Sequence, residues 1–260
     1  MTSAWKPDPA KGVFETLLLV DGEPVELDAH LDRLRKSLAE VYDAKLPAEA
    51  GDRVRAGAAD FELGRLRLTA RPKQRDVELD VAAQSLDPAI VFPPESRGAS
   101  LRQVLRRGGH GPHKWVERPG MERPREGTGQ LICDGEELLE AGWANLFIVR
   151  EETLWTPPLD GRILAGTARA AVLAIARDEG IEVHERPLHR GDLIVAAEVF
   201  LTNSVRGVEP ALALGGAPLA GCGPLSRRLA AALRRRWGLP DAADALPTPA
   251  TEPPLGQPAR

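Results

Sequence analysis

At 260 residues the chain is long enough to bury a sizeable core, as one large domain or, the better reading, as two modest ones. A formal net charge of −4 excludes a general nucleic-acid binder, and two distant cysteines, Cys133 and Cys222, give neither metal-ligand spacing nor a disulfide framework. The N-terminus MTSAWKPDPAKG has no apolar signal core and the longest apolar runs are too short for a bilayer, so a soluble cytoplasmic protein with no membrane partner and no metal is expected.

In chain order, VFETLLLVDGEPV alternates and then turns at Asp21-Gly22, which predicts a hairpin. Asp28 is the predicted N-cap of a helix over AHLDRLRKSLAEVY, with Leu31, Leu34, Leu38 and Tyr42 at helical spacing. A second helix is expected near Ala48 to Ala59, then a strand pair, LGRLRLTARP and RDVELDVAAQSL. From about Asp87 to Pro112 the chain becomes rich in Pro, Gly and Arg and reads as a connection wrapped around one strand, ASLRQVL. The second half opens at Lys114. Two or three strands are expected in QLICDGEELLEAGWANLFIVREETLWTPP, punctuated at Asp134-Gly135 and Pro157-Pro158. A helix over ARAAVLAIARDEG should stop at Gly180, followed by a strand, short helix, strand pattern through IEVHERPLHRGDLIVAAEVFLTNSVRGVEP. A last helix, about Leu225 to Trp237, carries Leu225, Leu229, Leu233 and Trp237 on one stripe and its arginines on a solvated face. The expected organisation is a smaller α/β domain (1–100), a connection (101–113), a larger domain (114–238) and a disordered Pro- and Ala-rich tail (239–260).

Lys114, in GPHKWVER, is the last lysine of the chain; every later basic charge apart from histidine is an arginine. Arginine serves as well on a solvated surface, but its guanidinium neither loses a proton nor acts as a nucleophile, so a retained amine points to chemistry. Downstream, Glu140 ends an apolar strand and begins EAGWANLF. Gly166, Thr167 and Ala168 open a helix, where unpaired N–H groups and the positive dipole end favour an anion. Asn203 and Ser204 follow a strand in FLTNSVRG and offer small amide and hydroxyl groups to the same anion. Taken singly, each of these is equally a surface charge, a turn or an ordinary helix start. Their order, amine, carboxylate, helix start and hydroxyl turn, is that of a pyridoxal 5'-phosphate site. The aldehyde takes a lysine, the ring nitrogen a carboxylate, and the phosphate N–H and hydroxyl donors.

At these residues the sequence resembles the class IV aminotransferase family of fold-type IV pyridoxal phosphate enzymes. GVFETLLLVDGEPVELDAHLDRL, HKWVER, LLEAGWANLFIV, LWTPPLDGRILAGTAR and DLIVAAEVFLTNSVRGVEP look like its motifs in its order, over roughly residues 11 to 215. The resemblance implies an α/β (α+β) two-domain fold of the D-amino acid aminotransferase kind, a cofactor between the domains, a small-molecule amine substrate and a homodimer. Carried over by position, Lys114 is the Schiff-base lysine, Glu140 the partner of the pyridine nitrogen and Arg33 in HLDRL a phosphate ligand. Gly166, Thr167, Ala168, Asn203 and Ser204 complete the phosphate cup. EAGWANLF and TNSVRGVEP look more like aminodeoxychorismate lyases than branched-chain aminotransferases, and the implied activity is formation of 4-aminobenzoate and pyruvate. Transamination of branched-chain or D-amino acids and a cofactor-free binding role stay open as alternatives. The segment from Lys114 to Glu140 is shorter than the family pattern, and no tyrosine follows the lysine, Tyr42 being the only one. Arg67, Arg71, Arg106, Arg107 and His110 are candidates for a substrate carboxylate clamp, though each reads first as a surface or linker charge.

Overall fold

The computed structural model describes residues 6–74, 76–121, 124 and 128–240. Asp21 and Gly22 both take left-handed backbone, with φ of 49° and 80°, and fold strand β1 (Val13–Val20) onto the short β2 (Glu23–Pro24). Helices α1 (Leu27–Tyr42) and α2 (Ala50–Ala58) follow, then β3 (Leu63–Lys73) and β4 (Asp76–Ser85). These strands form an antiparallel sheet in the order β2-β1-β3-β4. Its core joins Leu17 and Leu19 of β1 and Leu66 and Leu68 of β3 to Leu34 and Leu38 of α1 and Val54 of α2.

Asp28 is not the N-cap of α1. The helix starts one residue before it, behind a left-handed Glu26 (φ 53°) whose side chain makes no cap bond. The Glu26 carboxylate is instead held by Arg236, at 2.5 and 3.2 Å. Asp28 sits in the first turn, where its charge still favours the positive helix end. The buried stripe of α1 is Leu27, His30, Leu34, Ser37 and Leu38; Leu31 and Tyr42 are only half-buried.

The larger half contains β5 (Ala99–Leu105), β6 (Gly129–Asp134), β7 (Glu137–Ala141), β8 (Ala144–Arg150) and β9 (Thr153–Thr156). Then come α3 (Thr167–Asp178), β10 (Val183–Glu185), β11 (Leu188–His189), α4 (Arg190–Val195), β12 (Glu198–Asn203), β13 (Gly207–Leu214), β14 (Ala217–Pro218) and α5 (Pro224–Arg236). Where two or three strands were expected after Lys114 there are four, because Gly142-Trp143 reverses the chain and Ala141 pairs with Ala144. In the ten-stranded sheet β8, β12, β13, β5, β6 and β7 neighbour one another in turn, and β7 pairs back to β8, closing a barrel. One face of its strands carries Leu131, Leu146, Ile148 and Leu201. The other, where Phe147 and Phe200 stack with centroids 5.2 Å apart, is covered by Val172 of α3 and by Leu229 and Leu233 of α5.

The halves interlock. Residues 101–105, assigned above to the connection, are a barrel strand, parallel to both β13 and β6. Conversely, Lys114 and its neighbours sit on the smaller sheet. Trp115 bridges Val13 and is buried in the smaller core, Phe14 N–H donates to the Lys114 carbonyl (2.9 Å), and Val116 N–H donates to the Gly12 carbonyl (3.0 Å). Gly12 permits this junction: its φ is 91°, and a Cβ there would stand 2.2 Å from the Ala70 carbonyl oxygen. The tail expected to be disordered lies, from residue 241 on, outside the described residues. Among the described residues no helix is long and apolar enough to cross a membrane.

Candidate active site

Strand β1 organises the site through four consecutive residues. Val13 and Phe14 hold the backbone of the Lys114 segment, and the Lys114 amine stands 5.0 Å from the Phe14 ring centroid. The preceding His113 fixes the segment from the other side: Nδ1 is 3.0 Å from Ser37 Oγ on α1, and the ring meets Trp115 edge-on at 5.6 Å. Burial pushes the Lys114 amine well below its usual value. Glu15 opposes the shift, and Arg33, Arg118 and Arg67 add to it. The shift favours the neutral amine, the form that attacks a carbonyl or takes a proton.

Glu140 closes β7 beside its cross-strand partner Asn145 and is 3% exposed. Its Oε2 accepts from the Leu164 N–H at 3.2 Å and from Asn145 Nδ2 at 3.3 Å. Asn145 Nδ2 also donates to the Leu164 carbonyl at 2.9 Å, which ties strand β8 to the approach to α3. Oε1 is buried with no hydrogen-bond partner among the described residues. Burial holds the carboxyl up to about 8, with the Leu164 N–H and the charges of Arg118, Arg33 and Arg169 pulling the other way. A buried carboxyl with an unused oxygen offers a place to a charged N–H donor, whose arrival would favour its ionised, accepting form.

At the start of α3 the first amides, beginning with Thr167 and Ala168, have no intrahelical acceptor, and Gly166 makes no side-chain cap. A Cβ on Gly166 would lie 2.0 Å from Asn145 Oδ1, so a side chain at this position would push into the group that holds Glu140. Arg33 reaches this helix end from α1: Nη1 donates to the Ala165 carbonyl at 2.7 Å, while Nε and Nη2 grip Glu15 at 2.9 and 2.5 Å. Glu15, 2% exposed, also accepts from His30 Nδ1 at 2.7 Å, and His30 Nε2 lies 3.2 Å from Thr167 Oγ1. Burial alone would raise the Glu15 carboxyl; the charge and hydrogen bonds of Arg33, with those of His30, carry it well below the usual carboxylate range.

Asn203 and Ser204 lie in the turn between β12 and β13. Asn203 Oδ1 accepts from the amides of Val205 (2.9 Å) and Arg206 (2.8 Å), and Ser204 Oγ donates to the Thr16 carbonyl at 2.6 Å. Their polar groups thus shape the turn and tie it to β1 beside Glu15. Of the carboxylate-clamp candidates, Arg67 stands over Phe14 at 3.7 Å and is joined there by Arg118 at 4.7 Å. His110 is buried and pushed down to about 3 by burial, with Arg106 and Arg118 adding to the shift, whereas Arg71 and Arg107 are exposed. Phe14, Glu15, His30, Arg118 and Asn145 were not singled out from the sequence, although all five stand in the motifs quoted above or in the stretch around Lys114.

A single molecule could meet three of these groups: a protonated ring nitrogen beside Glu140 Oε1, a phosphate at Arg33 and the amides of α3, and an aldehyde at the Lys114 amine. With a small antiparallel sheet set against a closed barrel, this defines a fold-type IV pyridoxal phosphate enzyme. The family model of class IV amino-transferases matches residues 12–119 and 121–214, and the chain belongs to that family. Pyridoxal 5'-phosphate is the family's cofactor, and small-molecule amines are its substrates. The branched-chain-amino-acid aminotransferase of Escherichia coli is 35% identical over 114 residues, 42% of this chain and 37% of that protein. The chain thus spans about two fifths of the length of the curated relatives it matches. Over most of both chains it is similar to the 4-amino-4-deoxychorismate lyase of Pseudomonas aeruginosa, with a TM-score of 0.70 and 26% identity, covering 87% of this chain and 91% of that one. A hypothetical aminotransferase from Mycobacterium tuberculosis in its PLP-bound form has the same fold, with a TM-score of 0.73 at 23% identity over 90% of each chain.

Proposed function

We propose that the chain is a 4-amino-4-deoxychorismate lyase or a close relative, forming 4-aminobenzoate and pyruvate. The cofactor assignment within the site rests on one observation above the others, the buried and unpartnered Oε1 of Glu140. Preference for the lyase rests on the likeness to the Pseudomonas aeruginosa enzyme, which extends over nine tenths of that chain. When bound, pyridoxal phosphate supplies an electron sink for the pair released as the substrate carbon loses its proton.

The chain's own residues then have distinct tasks. Lys114 Nζ would hold the cofactor, and as a free amine it would take the proton from the substrate carbon that bears the amine. Its lowered basicity suits it to this work near neutral pH. Glu140 Oε1 keeps a proton on the ring nitrogen, and Asn145 and the Leu164 amide hold that carboxylate in place. Arg33 and the amides of Thr167 and Ala168 would bind the phosphate; the small size of Gly166 leaves the cradle open, and Ser204 ties the turn after β12 to Thr16 of β1. The bond from the substrate ring to the enolpyruvyl oxygen breaks, the proton held on Lys114 returns to the departing fragment, and pyruvate and the aromatic amine leave. The reading includes a smaller and a larger domain flanking the site, a homodimer and a cytoplasmic location.

A second reading, transamination of a branched-chain amino acid, is favoured by the 35% identity to the E. coli aminotransferase over 114 residues. Incubating the purified chain with 4-amino-4-deoxychorismate, and separately with branched-chain amino acids plus 2-oxoglutarate, separates the two. Stoichiometric pyruvate and 4-aminobenzoate support the lyase. Amino transfer without either product refutes it.

A further inference from the structure

The buried line Arg33, Glu15, His30, Thr167 has a direction that follows from chemistry. Glu15 is ionised and can only accept, so His30 Nδ1, 2.7 Å away, carries a proton. His30 is 1% exposed and burial keeps it neutral, so its Nε2 is an acceptor. The Thr167 hydroxyl, 3.2 Å from Nε2, must therefore donate to His30. The Thr167 proton and the His30 proton both point toward Glu15, and Arg33 meets the same carboxylate from the other side with two of its five N–H groups. A third goes to the Ala165 carbonyl, which leaves two N–H groups on the terminal nitrogens for an anion.

We propose that Glu15 is a positioning residue of this site: it holds Arg33 and, through His30, the first turn of α3 in one hydrogen-bonded line, so that the two remaining Arg33 donors and the α3 amides converge on a single phosphate. The inference rests on the reading of the site as a phosphate-bearing cofactor site, and goes beyond it by assigning the order of that site to a carboxylate that never touches the anion. In the same line the Thr167 hydroxyl gives its proton to His30, so Thr167 serves the anion through its backbone amide. The counter-effect is plain. Glu15 is negative, and its charge repels a phosphate. Positioning outweighs repulsion because the Arg33 side chain is only 10% exposed. A guanidinium deprived of its bidentate partner in such surroundings leaves the pocket for water and takes its remaining donors with it.

The test uses the full chain as wild type, Glu15→Gln, Glu15→Asp, Arg33→Ala and the Glu15→Gln/Arg33→Ala double variant. Dissociation constants are measured for pyridoxal phosphate by absorbance and for inorganic phosphate on the cofactor-free protein by calorimetry. Glu15→Gln should weaken both ligands by at least about ten-fold, the scale of one charge-assisted hydrogen bond. The double variant should be no weaker than Arg33→Ala alone, because Glu15 acts through Arg33. Unchanged or tighter binding by Glu15→Gln would make Glu15 a mere neutralising charge, and additive losses would make it a general structural residue; either overturns the proposal. Should Glu15→Gln not fold, Glu15→Asp decides by the same criteria, since it keeps the charge and withdraws the contact. Nitrogen-15 spectra of labelled histidine give a readout independent of the cofactor: wild-type His30 should be the Nδ1-protonated tautomer, and an Nε2-protonated ring overturns the line. A wild-type chain that binds phosphate but no pyridoxal phosphate refutes the proposed function and leaves Glu15 to be judged on phosphate and the His30 tautomer. One that binds neither overturns both.

Discussion

Replacing Glu140 by glutamine should move stability and catalysis in opposite directions. In the cofactor-free protein burial holds the Glu140 carboxyl up to about 8, from a usual 4.5. A carboxyl whose folded pKa exceeds its unfolded one keeps its proton in the folded chain after the unfolded chain has released it. Stability is therefore lost as pH rises from about 4.5 to about 8. Across that window the cost reaches about 5 kcal/mol above pH 8 and about 3 kcal/mol at pH 7, upper bounds because surroundings relax around a buried charge. The amide in Glu140→Gln carries no charge to desolvate, though an unmet buried N–H costs it about 1–3 kcal/mol at every pH. The Tm difference, variant minus wild type, should accordingly climb by roughly 5–10 °C between about pH 5 and pH 9 in cofactor-free protein. With cofactor bound the order reverses: the neutral amide cannot hold a proton on the ring nitrogen by charge, and turnover should fall at least about 100-fold. Thermal melts at a series of pH values, with and without pyridoxal phosphate, and turnover at saturating substrate measure both. A Tm difference that stays flat with pH, or near-normal turnover, would refute the assignment of Glu140 as the ring-nitrogen partner.

Lys114→Ala should abolish turnover and the borohydride-stable attachment of cofactor to the chain, and Lys114→Arg should do the same because its charge survives without nucleophilicity. Mass spectrometry after reduction locates the attachment, and a labelled earlier lysine in either variant would reassign the anchor. Arg33→Ala should weaken cofactor binding about ten- to a hundred-fold, the loss of hydrogen bonds to a charged group. Arg35→Ala, whose side chain is 57% exposed and paired with Asp32, should leave it unchanged; equal dissociation constants would remove Arg33 from the site. Gly166→Ala places a Cβ 2.0 Å from Asn145 Oδ1. The resulting displacement should cost about 1–3 kcal/mol in a thermal melt and weaken cofactor binding, and no change in either would show that the cradle has room.

Periodicity and turn chemistry made most elements legible because those signals are local. Asp21-Gly22 marked its turn, ASLRQVL is β5, and of the stripe Leu225, Leu229, Leu233 and Trp237 the middle two are buried on α5, with Trp237 buried at its C-cap and Leu225 half-buried. The break between β7 and β8 escaped because Gly142-Trp143 is not a standard hairpin pair and the strands on both sides are buried almost throughout, so neither alternates. Barrel closure was illegible for a different reason. It depends on β5 lying parallel to β13, more than a hundred residues away, and no window along the sequence contains both.

In the site, Lys114 stood out by composition and Glu140 by its place at a strand end, but the partners that order them did not, even though a signal for one was present. Counting by twos along β1, Glu15 shares a face with Val13, Leu17 and Leu19, all of them in the smaller core. An acidic residue on the inward face of a strand requires a cation or a donor from whatever packs above it. The packing element is α1, whose buried stripe runs through Leu27, His30 and Leu34, with Arg33 three residues after His30 on the neighbouring edge. Strand and helix periodicity read together thus demand a Glu15, His30, Arg33 cluster, whereas either one alone leaves Arg33 indistinguishable from the solvated Arg35 and Lys36. What neither period can supply is the state of the hydroxyls. Ser204 donates to the Thr16 carbonyl, and Thr167 donates to a histidine that Glu15 has already oriented. Ser204 and, in the proposed line, Thr167 thus make contacts between the halves of the molecule, and the proposed donors to an anion are Arg33 and the backbone of α3.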